Sequence, residues 1–520
     1  MSSDVPSFDV AVAGGGPVGM LLAAELALQG VRPVVLERLP TPTGESKAGT
    51  LHARTAQSLN RRGLLDEVGR SSYGGVRFHF SGMFELDLGA VAGEGPSIVG
   101  SPQAWAEQVF ADRAADLGAE IRRGHEVVGL TQDADRVTLT VEGPAGPYEL
   151  AARYVVGADG ARSAVRRLAG IAFTGTPAGV AALMGDVRLL DPLPGGWHRT
   201  PRGWLMVWGG GTHGHSRIST YDFRGPHADR QAPVSLEELR GVVEHIAGHP
   251  VRMAEPRALT RYGDAALQAE TYRRGRVLVA GDAAHVHFPW GGQGLNTGME
   301  DAMNLGWKLA AQVRGWAPDG LLDTYHGERH PVAARVLWNV RAQTALADPD
   351  PRVDPLRELF AELMRLEQVN DHLSGMISGT RTAYDVGHPG AGRLAPDTEL
   401  KTEDGAVSLV ELLHRGRPLF LCPLDGGLDS GPGDASGGGP GNASYGGPGG
   451  GPGNGSGGGS ASGGERPVDV VAGWADRVDT VRAAQCEPLL IRPDGYVAWC
   501  PPGDAASLRA ALRRWFGEPG

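Results

Sequence analysis

Residues 277–310 read VLVAGDAAHVHFPWGGQGLNTGMEDAMNLGWKLA, and they predict a strand, a glycine turn and a helix in succession. Residues 277–280 are a short apolar run that ends at Gly281-Asp282, which is typical of a buried strand with a carboxylate at its carboxyl end. Pro289 then interrupts the chain, and glycines at 291, 292 and 294 leave the backbone bare before apolar residues recur at helical spacing. A helix therefore begins at a glycine turn, where several N–H groups lack partners within the helix.

The chemistry of this stretch suits a flavin. Asp282 can accept hydrogen bonds from ribityl hydroxyls, and the helix start can stabilise negative charge on the pyrimidine end of a reduced ring. An ordinary strand-loop-helix unit, with its glycines present for tight packing, fits the same residues equally well. The choice between these two interpretations depends on the other end of the chain.

A second motif lies at residues 8–37. Residues 8–13 are an apolar strand, residues 14–19 read GGGPVG, and a leucine-rich helix leads to a second strand that ends in Glu37. This is a βαβ unit with G-x-G-x-x-G and an acidic residue about 20 positions further on, the arrangement that binds an ADP moiety. The first glycine permits the turn, the second lets the backbone approach a pyrophosphate, the third allows close helix packing, and the acid binds ribose hydroxyls. The motif predicts a dinucleotide but does not distinguish FAD from NAD.

The composition narrows the possible partners and compartments. With 520 residues the chain is too long for one hydrophobic core, and roughly two to four domains are expected. A net charge of -11 argues against nucleic acid or an anionic membrane as the main partner. No segment reaches the roughly 18 unbroken apolar residues of a membrane span, so a soluble, cytoplasmic protein is expected. The cysteines Cys422, Cys486 and Cys500 have no metal-ligand or C-x-x-C spacing and are interpreted as small buried hydrophobes.

Two further regions differ in character from the rest. From about 174 to 260, short strands separated by Gly and Pro turns predict an antiparallel sheet inserted into a doubly wound domain. Its aromatic residues Trp204, Trp208, Tyr221 and Phe223 suit either packing or a wall for a planar polycyclic ligand. Near the other end, 20 of the 40 residues at 425–464 are glycine, which predicts a flexible loop in a small C-terminal α/β domain.

The segments GGGPVG, ADGARS and GDAAHVHFPWGGQGLN begin at residues 14, 158 and 281. With them the chain resembles the group A flavoprotein monooxygenases of the para-hydroxybenzoate hydroxylase fold. Within that group it looks most like the aromatic polyketide hydroxylases of angucycline and anthracycline biosynthesis, also in ERLPTPTGES, YDVGHPGAGRLAP and LLIRPDGYVAW. The resemblance implies an α/β fold with a Rossmann-like FAD-binding domain, an inserted antiparallel-sheet substrate domain and a C-terminal thioredoxin-like domain. The predicted bounds are 1–73, 102–173 and 261–388 for the first, 74–101 and 174–260 for the second, and 389–520 for the third.

The resemblance also implies site residues. Gln103 falls where the family contacts the ribityl chain, Val127 falls near the adenine, and the turn from Asp159 to Arg162 corresponds to the motif used for flavin and NADPH. The implied cofactor-binding residues are Gly14, Gly16, Pro17, Val18, Gly19, Glu37, Arg38, Arg54, Gln103, Val127, Asp159, Arg162, Asp282, Pro289, Gly292, Gly294, Leu295 and Asn296. The residues assigned to the substrate pocket are Phe80, Trp208, Tyr221 and Trp290. Trp290 stands where close relatives usually carry a small residue, so it is expected to narrow the pocket or stack on the substrate.

By this resemblance NADPH reduces FAD, O2 adds at the flavin C4a as a hydroperoxide, and the terminal oxygen passes to an electron-rich carbon of a polycyclic aromatic polyketide. The sequence shows no second G-x-G-x-x-G that follows a predicted strand and opens a helix, so NADPH has no Rossmann site of its own and is expected to bind transiently. His79, His285 and His287 are candidate general bases only, and no catalytic residue is assigned.

Three alternatives share parts of this pattern. A Baeyer–Villiger or epoxidising enzyme of the same fold would have every motif. A flavin halogenase is disfavoured because no W-x-W-x-I-P run is present. A non-catalytic flavin- or polyketide-binding protein would hold FAD without ligand-stimulated NADPH oxidation. The motifs do not encode the carbon attacked, the preference for NADPH or NADH, or the oligomeric state.

Overall fold

Five parallel strands form the centre of an eight-stranded sheet in the computed structural model, which describes residues 7–73, 77–209, 214–424 and 466–520. From one edge the main strands run in the order Arg273–Arg274, Val277–Val279, Gly146–Gly157, Ser7–Ala13, Pro33–Glu37 and Glu120–Arg123. The remaining two strands, Glu126–Gln132 and Val137–Gly143, add to it in antiparallel fashion. The glycine-rich segment at 425–464, predicted as a loop, lies outside the described residues.

The strand registers align the carboxyl ends of three parallel strands. Ala13 pairs with Gly157, and Gly157 pairs with Val279. Each of these residues is followed within two positions by a glycine or aspartate of one of the three sequence motifs. The carboxyl ends of neighbouring parallel strands meet at one edge of a sheet, and ligands bind there in open α/β sheets. The fold therefore brings the three motifs together.

The inserted region forms a separate five-stranded antiparallel sheet. Its strand order is Gly196–Thr200, Gly203–Trp208, Ser216–Asp222, Ala181–Leu189 and Met253–Gly263. One face buries Leu183, Leu205 and Ile218 against the helix Leu236–Ala247. Paired residues project to the same face, so a row of residues crosses the opposite face. This row consists of Trp204, Tyr221, Ala182 and Tyr262.

Helices connect the strands along the chain. The α-helices of the described residues are Pro17–Leu28, Ala53–Asn60, Leu65–Val68, Gln103–Asp116, Ala164–Leu168, Leu236–Ala247, Gln293–Arg314, Thr324–Ala347, Asp354–Met364, Glu367–Ser378, Leu409–Leu412, Pro467–Val471 and Ala505–Phe516. A parallel sheet combined with separate antiparallel sheets confirms the predicted α/β fold class. Within the described ranges, no helix combines the length and the apolarity needed to cross a membrane.

Four smaller antiparallel sheets of two or three strands each are also present among the described residues. They pair Phe173–Thr176 with Ala266–Ala269 and His285–Val286, Thr50–His52 and Ser71–Tyr73 with Ile98–Gly100, Arg77–Phe80 with Met83–Asp87, and Glu399–Thr402 with Gly405–Ser408. The short strand Thr50–His52 pairs with Ile98–Gly100, a partner almost 50 residues away that local sequence patterns do not reveal.

The described chain divides into two compact units. The first comprises Met1–Gln57, Leu65–Gly306 and Tyr325–Arg381, and the second comprises Ser58–Leu64, Trp307–Thr324 and Thr382–Gly520. The three-domain division drawn from the sequence has different bounds and stays a prediction.

The second unit contains a four-stranded sheet in the order Asp479–Ala483, Leu419–Pro423, Leu489–Ile491 and Val497–Trp499. An early segment belongs to this unit because its arginines satisfy carbonyl groups there. Arg62 donates to the oxygens of Pro493 at 2.7 Å and Leu413 at 3.2 Å, and Arg61 donates to the oxygen of Ala395. The segment Trp307–Thr324 is joined to the same unit by Trp307, whose Nε1 donates a hydrogen bond to Asp494 at 3.1 Å.

Candidate cofactor and substrate site

The glycine turn after the strand Ser7–Ala13 leaves its backbone accessible to a ligand. Gly14 has φ +108°, and a Cβ there would lie 2.3 Å from the Ala158 carbonyl oxygen. At Gly19 a Cβ would lie 2.1 Å from the Gly14 oxygen, so turn and helix approach too closely for a side chain. At Gly16, by contrast, such a Cβ has no atom within 4 Å from any described residue other than its chain neighbours. The helix that follows starts without a side-chain cap, so its first N–H groups and this open space fit a pyrophosphate.

Glu37, at the end of the next strand, contacts the same turn. Its Oε2 accepts a hydrogen bond from the Gly15 N–H at 2.6 Å, and its Oε1 accepts one from the Leu39 N–H at 2.8 Å. Each carboxylate oxygen has further acceptor capacity, which fits the predicted contact with ribose hydroxyls. The neighbouring Arg38 is exposed.

Asp159 carries a buried acceptor that no protein donor satisfies. Its Oδ2 accepts hydrogen bonds from the Ala164 and Val165 N–H groups at 2.7 Å and 3.1 Å, at the start of a short helix. Its Oδ1 is buried and has no hydrogen-bond partner among the described residues. Buried acceptors are rarely left unpaired, so this atom fits a hydroxyl of a bound cofactor. Arg162, predicted beside it, donates instead to the Arg230 carbonyl oxygen at 3.1 Å.

Val18 joins the first motif to the third. Its side chain lies 3.1 Å from the position of a Cβ on Gly281 and 2.7 Å from that of a Cβ on Gly298. Asp282 is exposed at the carboxyl end of the strand Val277–Val279. The residues predicted to bind the two ends of one dinucleotide therefore share one edge of the sheet.

Two buried side chains form hydrogen bonds with the glycine turn before the helix Gln293–Arg314. His52 Nε2 donates to the Gly291 oxygen at 2.7 Å, and Asn296 Nδ2 donates to the Gly292 oxygen at 2.9 Å. Asn296 Oδ1 also accepts a hydrogen bond from the His52 N–H at 2.8 Å. Burial lowers the pKa of His52 to about 4, so the imidazole is neutral at neutral pH. The start of the helix is thereby held in one position.

Asp301, in the same helix, is a second buried anchor of the site. Its Oδ1 accepts from Arg329 Nε at 2.8 Å, and its Oδ2 accepts from His285 Nε2 at 2.7 Å and from the Gly281 N–H at 3.1 Å. Burial pushes the pKa of Asp301 up, but attraction to His285 and Arg329 outweighs it and holds the pKa below its ordinary value. An ionised carboxylate therefore connects the Gly281 turn to the helix Thr324–Ala347, which contains Arg329.

An aromatic box borders the glycine turn. We use this name for Trp197, Trp204, Tyr221, Phe288 and Trp290. Trp290 directly precedes Gly291 and is completely buried. Its ring centroid lies 5.1 Å from Trp197, 5.2 Å from Tyr221, 5.6 Å from Trp204 and 6.1 Å from Phe288. A buried cluster of aromatic rings thus lies next to the backbone that is predicted to edge a flavin ring.

Comparison with known proteins identifies the family. Residues 7–340 match the FAD binding domain family, and residues 460–519 match the aromatic-ring hydroxylase C-terminal family. The chain belongs to the FAD-dependent aromatic hydroxylases. The first match spans well over half of the chain and includes all three motifs, which confirms the resemblance inferred from them.

Relatives of this hydroxylase family are similar over nearly the whole chain. A 12-dehydrotetracycline 5-monooxygenase/anhydrotetracycline 6-monooxygenase of Streptomyces rimosus is 40% identical over 98% of this chain and 99% of its own. The crystal structure of CabE, an aromatic hydroxylase from angucycline biosynthesis, is 39% identical, with a TM-score of 0.85 and coverage of 99% and 100%. A dialkyldecalin synthase of Streptomyces rugosporus is 37% identical over 98% of both chains.

Two of the four residues predicted for the hydroxylase's substrate pocket meet, and two lie elsewhere. Tyr221 and Trp290 are in contact within the aromatic box. Phe80 packs in a different cluster, with Leu86 and Met364. Trp208 has 58% of its surface exposed. The assignment of these four residues to a pocket stays a prediction.

The other predicted cofactor residues occupy varied environments. Arg54 is buried and donates to the carbonyl oxygens of Gly379 at 3.3 Å and Thr380 at 2.8 Å, so part of its guanidinium is engaged by backbone. Gln103 is the first residue of the helix Gln103–Asp116 and is half-buried. Gly294 and Leu295 are half-buried in the first turn of Gln293–Arg314, Pro289 is exposed, and Val127 is buried.

The three candidate histidines of the hydroxylase are all engaged in packing or hydrogen bonds. His79 packs between Phe78 and Trp197, and burial, with repulsion from His52, lowers its pKa to about 3. His285 is bound to Asp301. His287 Nδ1 lies 2.7 Å from the Phe288 oxygen, and burial lowers its pKa. None of the three histidines is therefore assigned as a general base.

Sequence reasoning missed His52, Trp197 and Tyr262. His52 is 239 residues from its partner Gly291, and no local pattern connects them. Trp197 and Tyr262 lie on strands at opposite edges of the five-stranded sheet, on the face of Trp204. The period-2 alternation of strands could have placed each residue on a face, but it does not say which strands are neighbours.

Proposed function

We propose that the protein is an NADPH-consuming monooxygenase that hydroxylates a polycyclic aromatic polyketide. One observation carries this proposal: the three dinucleotide motifs meet at one sheet edge, and the turn of the third motif is continuous with the aromatic box through Trp290-Gly291. A flavin site directly beside a wall of rings is the arrangement that aromatic hydroxylation needs.

The residues of the sheet edge would hold the cofactor. When bound and reduced by NADPH, FAD supplies the transfer of one oxygen atom from O2 to the substrate. The turn at 14–19 and Glu37 would bind the ADP half, while Asp159 and Asp282 would accept hydrogen bonds from hydroxyl groups. The N–H groups at the start of Gln293–Arg314 would stabilise negative charge on the reduced ring.

The aromatic box would orient the substrate and exclude water. Trp290 and Phe288 have no exposed surface, and Tyr221 and Trp204 have almost none, so these four rings would keep water away from the substrate. Relatives named for anhydrotetracycline oxidation and for angucycline biosynthesis support a fused-ring polyketide as the substrate class.

The test is flavin-dependent NADPH oxidation with defined compounds. Purified protein is incubated with FAD and then with NADPH, O2 and a panel that includes anhydrotetracycline and 1,2-dihydroxyanthraquinone. We expect a yellow holoprotein, faster NADPH oxidation with at least one compound, and a product that contains one atom from isotopically labelled O2. A protein that retains no FAD, or whose NADPH oxidation no compound accelerates, would contradict the proposal.

A second candidate function follows from the dialkyldecalin synthase relative, whose name describes ring formation and no oxygen insertion. In that case the protein would bind FAD and a polyketide, and NADPH oxidation would not respond to the ligand. The same assay separates the two functions, because only hydroxylation couples NADPH consumption to labelled oxygen in the product. Structure determination of the product would separate hydroxylation from Baeyer–Villiger oxidation or epoxidation.

A further inference from the structure

Trp197 is the one member of the aromatic box that lies on an edge strand. It lies on Gly196–Thr200, a strand at the edge of the five-stranded sheet with a neighbour on one side only. Two glycines precede it, and Gly196 has φ +103°. Its side chain is only half-buried, whereas the other four rings of the box are buried almost completely. Edge position, adjacent glycines and partial exposure all lower the cost of moving this ring.

The contact between Trp197 and Trp290 differs in geometry from the other ring contacts of Trp290. The two indole rings are stacked, with their planes at 20° to one another and their ring centroids 5.1 Å apart. Trp204, Tyr221 and Phe288 meet Trp290 edge-on, at 79°, 61° and 64°. Near-parallel stacking is the arrangement that a flat polycyclic ligand would adopt on an indole. Trp197 therefore covers Trp290 in the way that a fused-ring ligand would.

Trp290 packs against an anchored neighbour, and its indole N–H has no hydrogen-bond partner among the described residues. Its neighbour Trp204 is anchored because its Nε1 donates to the Ala347 oxygen at 2.7 Å. Trp290 Nε1 is also buried but has no hydrogen-bond partner among the described residues. A buried donor of this kind favours a ligand with an acceptor at the edge of its ring system, such as a phenol or quinone oxygen.

We propose that the face of Trp290 now covered by Trp197 is the stacking surface for the substrate, and that Trp197 moves aside when the substrate binds. The ligand is a planar fused-ring compound with a hydroxyl or carbonyl oxygen within reach of Trp290 Nε1. This inference rests on the proposed function, because it identifies the part of the aromatic box that the substrate occupies.

The test uses the FAD-loaded protein and 1,2-dihydroxyanthraquinone, with binding measured by titration calorimetry in the absence of NADPH. Trp290→Ala removes the stacking surface, and its Kd should rise about tenfold or more. Trp197→Ala removes a competitor for that surface, and its Kd should fall about threefold to tenfold. Trp197→Phe keeps a smaller ring on the edge strand and should lie between the wild type and Trp197→Ala. Trp338→Ala, at an exposed indole on the helix Thr324–Ala347, is the matched control and should bind as the wild type does.

The test is decisive because the expected changes in Kd have opposite signs for substitutions at positions 197 and 290. If the Trp197 variants bind more weakly, Trp197 is a fixed part of the wall and the inference is overturned. Failure of both wild type and Trp197→Ala to bind also overturns it. Binding is read without turnover, so a tighter Trp197→Ala variant that never consumes NADPH would support the stacking surface while contradicting the proposed hydroxylation.

Discussion

At the scale of single residues, two glycines of the first motif have different roles: Gly19 is needed for folding, and Gly16 for binding. A Cβ at Gly19 would collide with the Gly14 oxygen, whereas a Cβ at Gly16 would meet no atom within 4 Å from the described residues beyond its chain neighbours. Gly16 also has φ -75° and ψ 178°, which any residue can adopt. Folding therefore needs Gly19, while the absence of a side chain at Gly16 serves the ligand.

We expect Gly16→Ala to leave the stability of the protein within about 0.5 kcal/mol of the wild type. Its Kd for FAD should rise about tenfold or more, because the methyl group enters the space that fits the pyrophosphate. Gly19→Ala, in contrast to Gly16→Ala, should also lower the melting temperature. Flavin titration and thermal unfolding measure both effects, and Gly241→Ala, on an exposed helix position with open space, is the control. Unchanged flavin affinity in Gly16→Ala would remove this turn from the cofactor site.

A second residue-scale prediction concerns Asp301. Its two oxygens accept from Arg329, His285 and the Gly281 N–H, so Asp301→Asn removes the buried negative charge that these groups face. We expect a loss of about 3–5 kcal/mol in the free energy of unfolding at neutral pH, measured by chemical denaturation. Arg352 and Asp350 form an exposed pair, and Asp350→Asn should cost less than about 1 kcal/mol.

The same carboxylate predicts a pH dependence. The pKa of Asp301 is lowered in the folded protein, so its contribution is complete above the ordinary aspartate pKa and is lost as the pH falls through the lower folded value. The difference in unfolding free energy between wild type and Asp301→Asn should therefore be constant from neutral pH to about pH 4 and shrink below it. A difference that grows on acidification would contradict the ion pair.

At the scale of elements, the helix Gln293–Arg314 is positioned by contacts with distant segments. Asn296 connects its first turn to the strand Thr50–His52 through hydrogen bonds with Thr50 and His52. We expect Asn296→Ala to weaken FAD binding several-fold and to lower stability by about 1–3 kcal/mol, because buried backbone groups lose their partners. Flavin affinity and denaturation give both values. Thr344→Ala, which removes a hydrogen bond within one helix, should leave flavin affinity unchanged.

The elements that sequence reasoning located are those with local signals. Glycines and apolar runs located the strand Ser7–Ala13, the helix Pro17–Leu28 and the helix Gln293–Arg314 to within a few residues. Local patterns could not show that His52 supports Gly291, because the contact depends on strand pairing between remote segments. Trp208 alternates onto the ring-bearing face and lies at an exposed strand end, and its place in the substrate pocket stays a prediction.

At the scale of the whole molecule, the second unit is assembled from three separate parts of the chain. The carbonyl oxygens of Ala395, Leu413 and Pro493 accept from Arg61 and Arg62, which lie more than 300 residues earlier. Asp494 accepts from Trp307. The buried polar groups of this unit are therefore satisfied only when the early and middle segments are present.

We expect a fragment of residues 382–520 to fail to fold alone. Without Ser58–Leu64 and Trp307–Thr324 it would keep several buried acceptors unpaired and lose the packing of Trp307. Its amide NMR spectrum should show the narrow dispersion of an unfolded chain, whereas a spectrum with native dispersion would show that the unit is autonomous. Adding a peptide of residues 307–324 should restore dispersion in part.

The composite second unit also affects how the chain is made on the ribosome. Arg62 is separated from its acceptor Pro493 by 431 positions. At synthesis rates of roughly 5–20 residues per second, the arginine emerges roughly 20 to 90 s before the carbonyl group it binds. During that interval the nascent chain exposes a segment with no final partner, and this is the period in which a chaperone would contribute most to the yield of native protein.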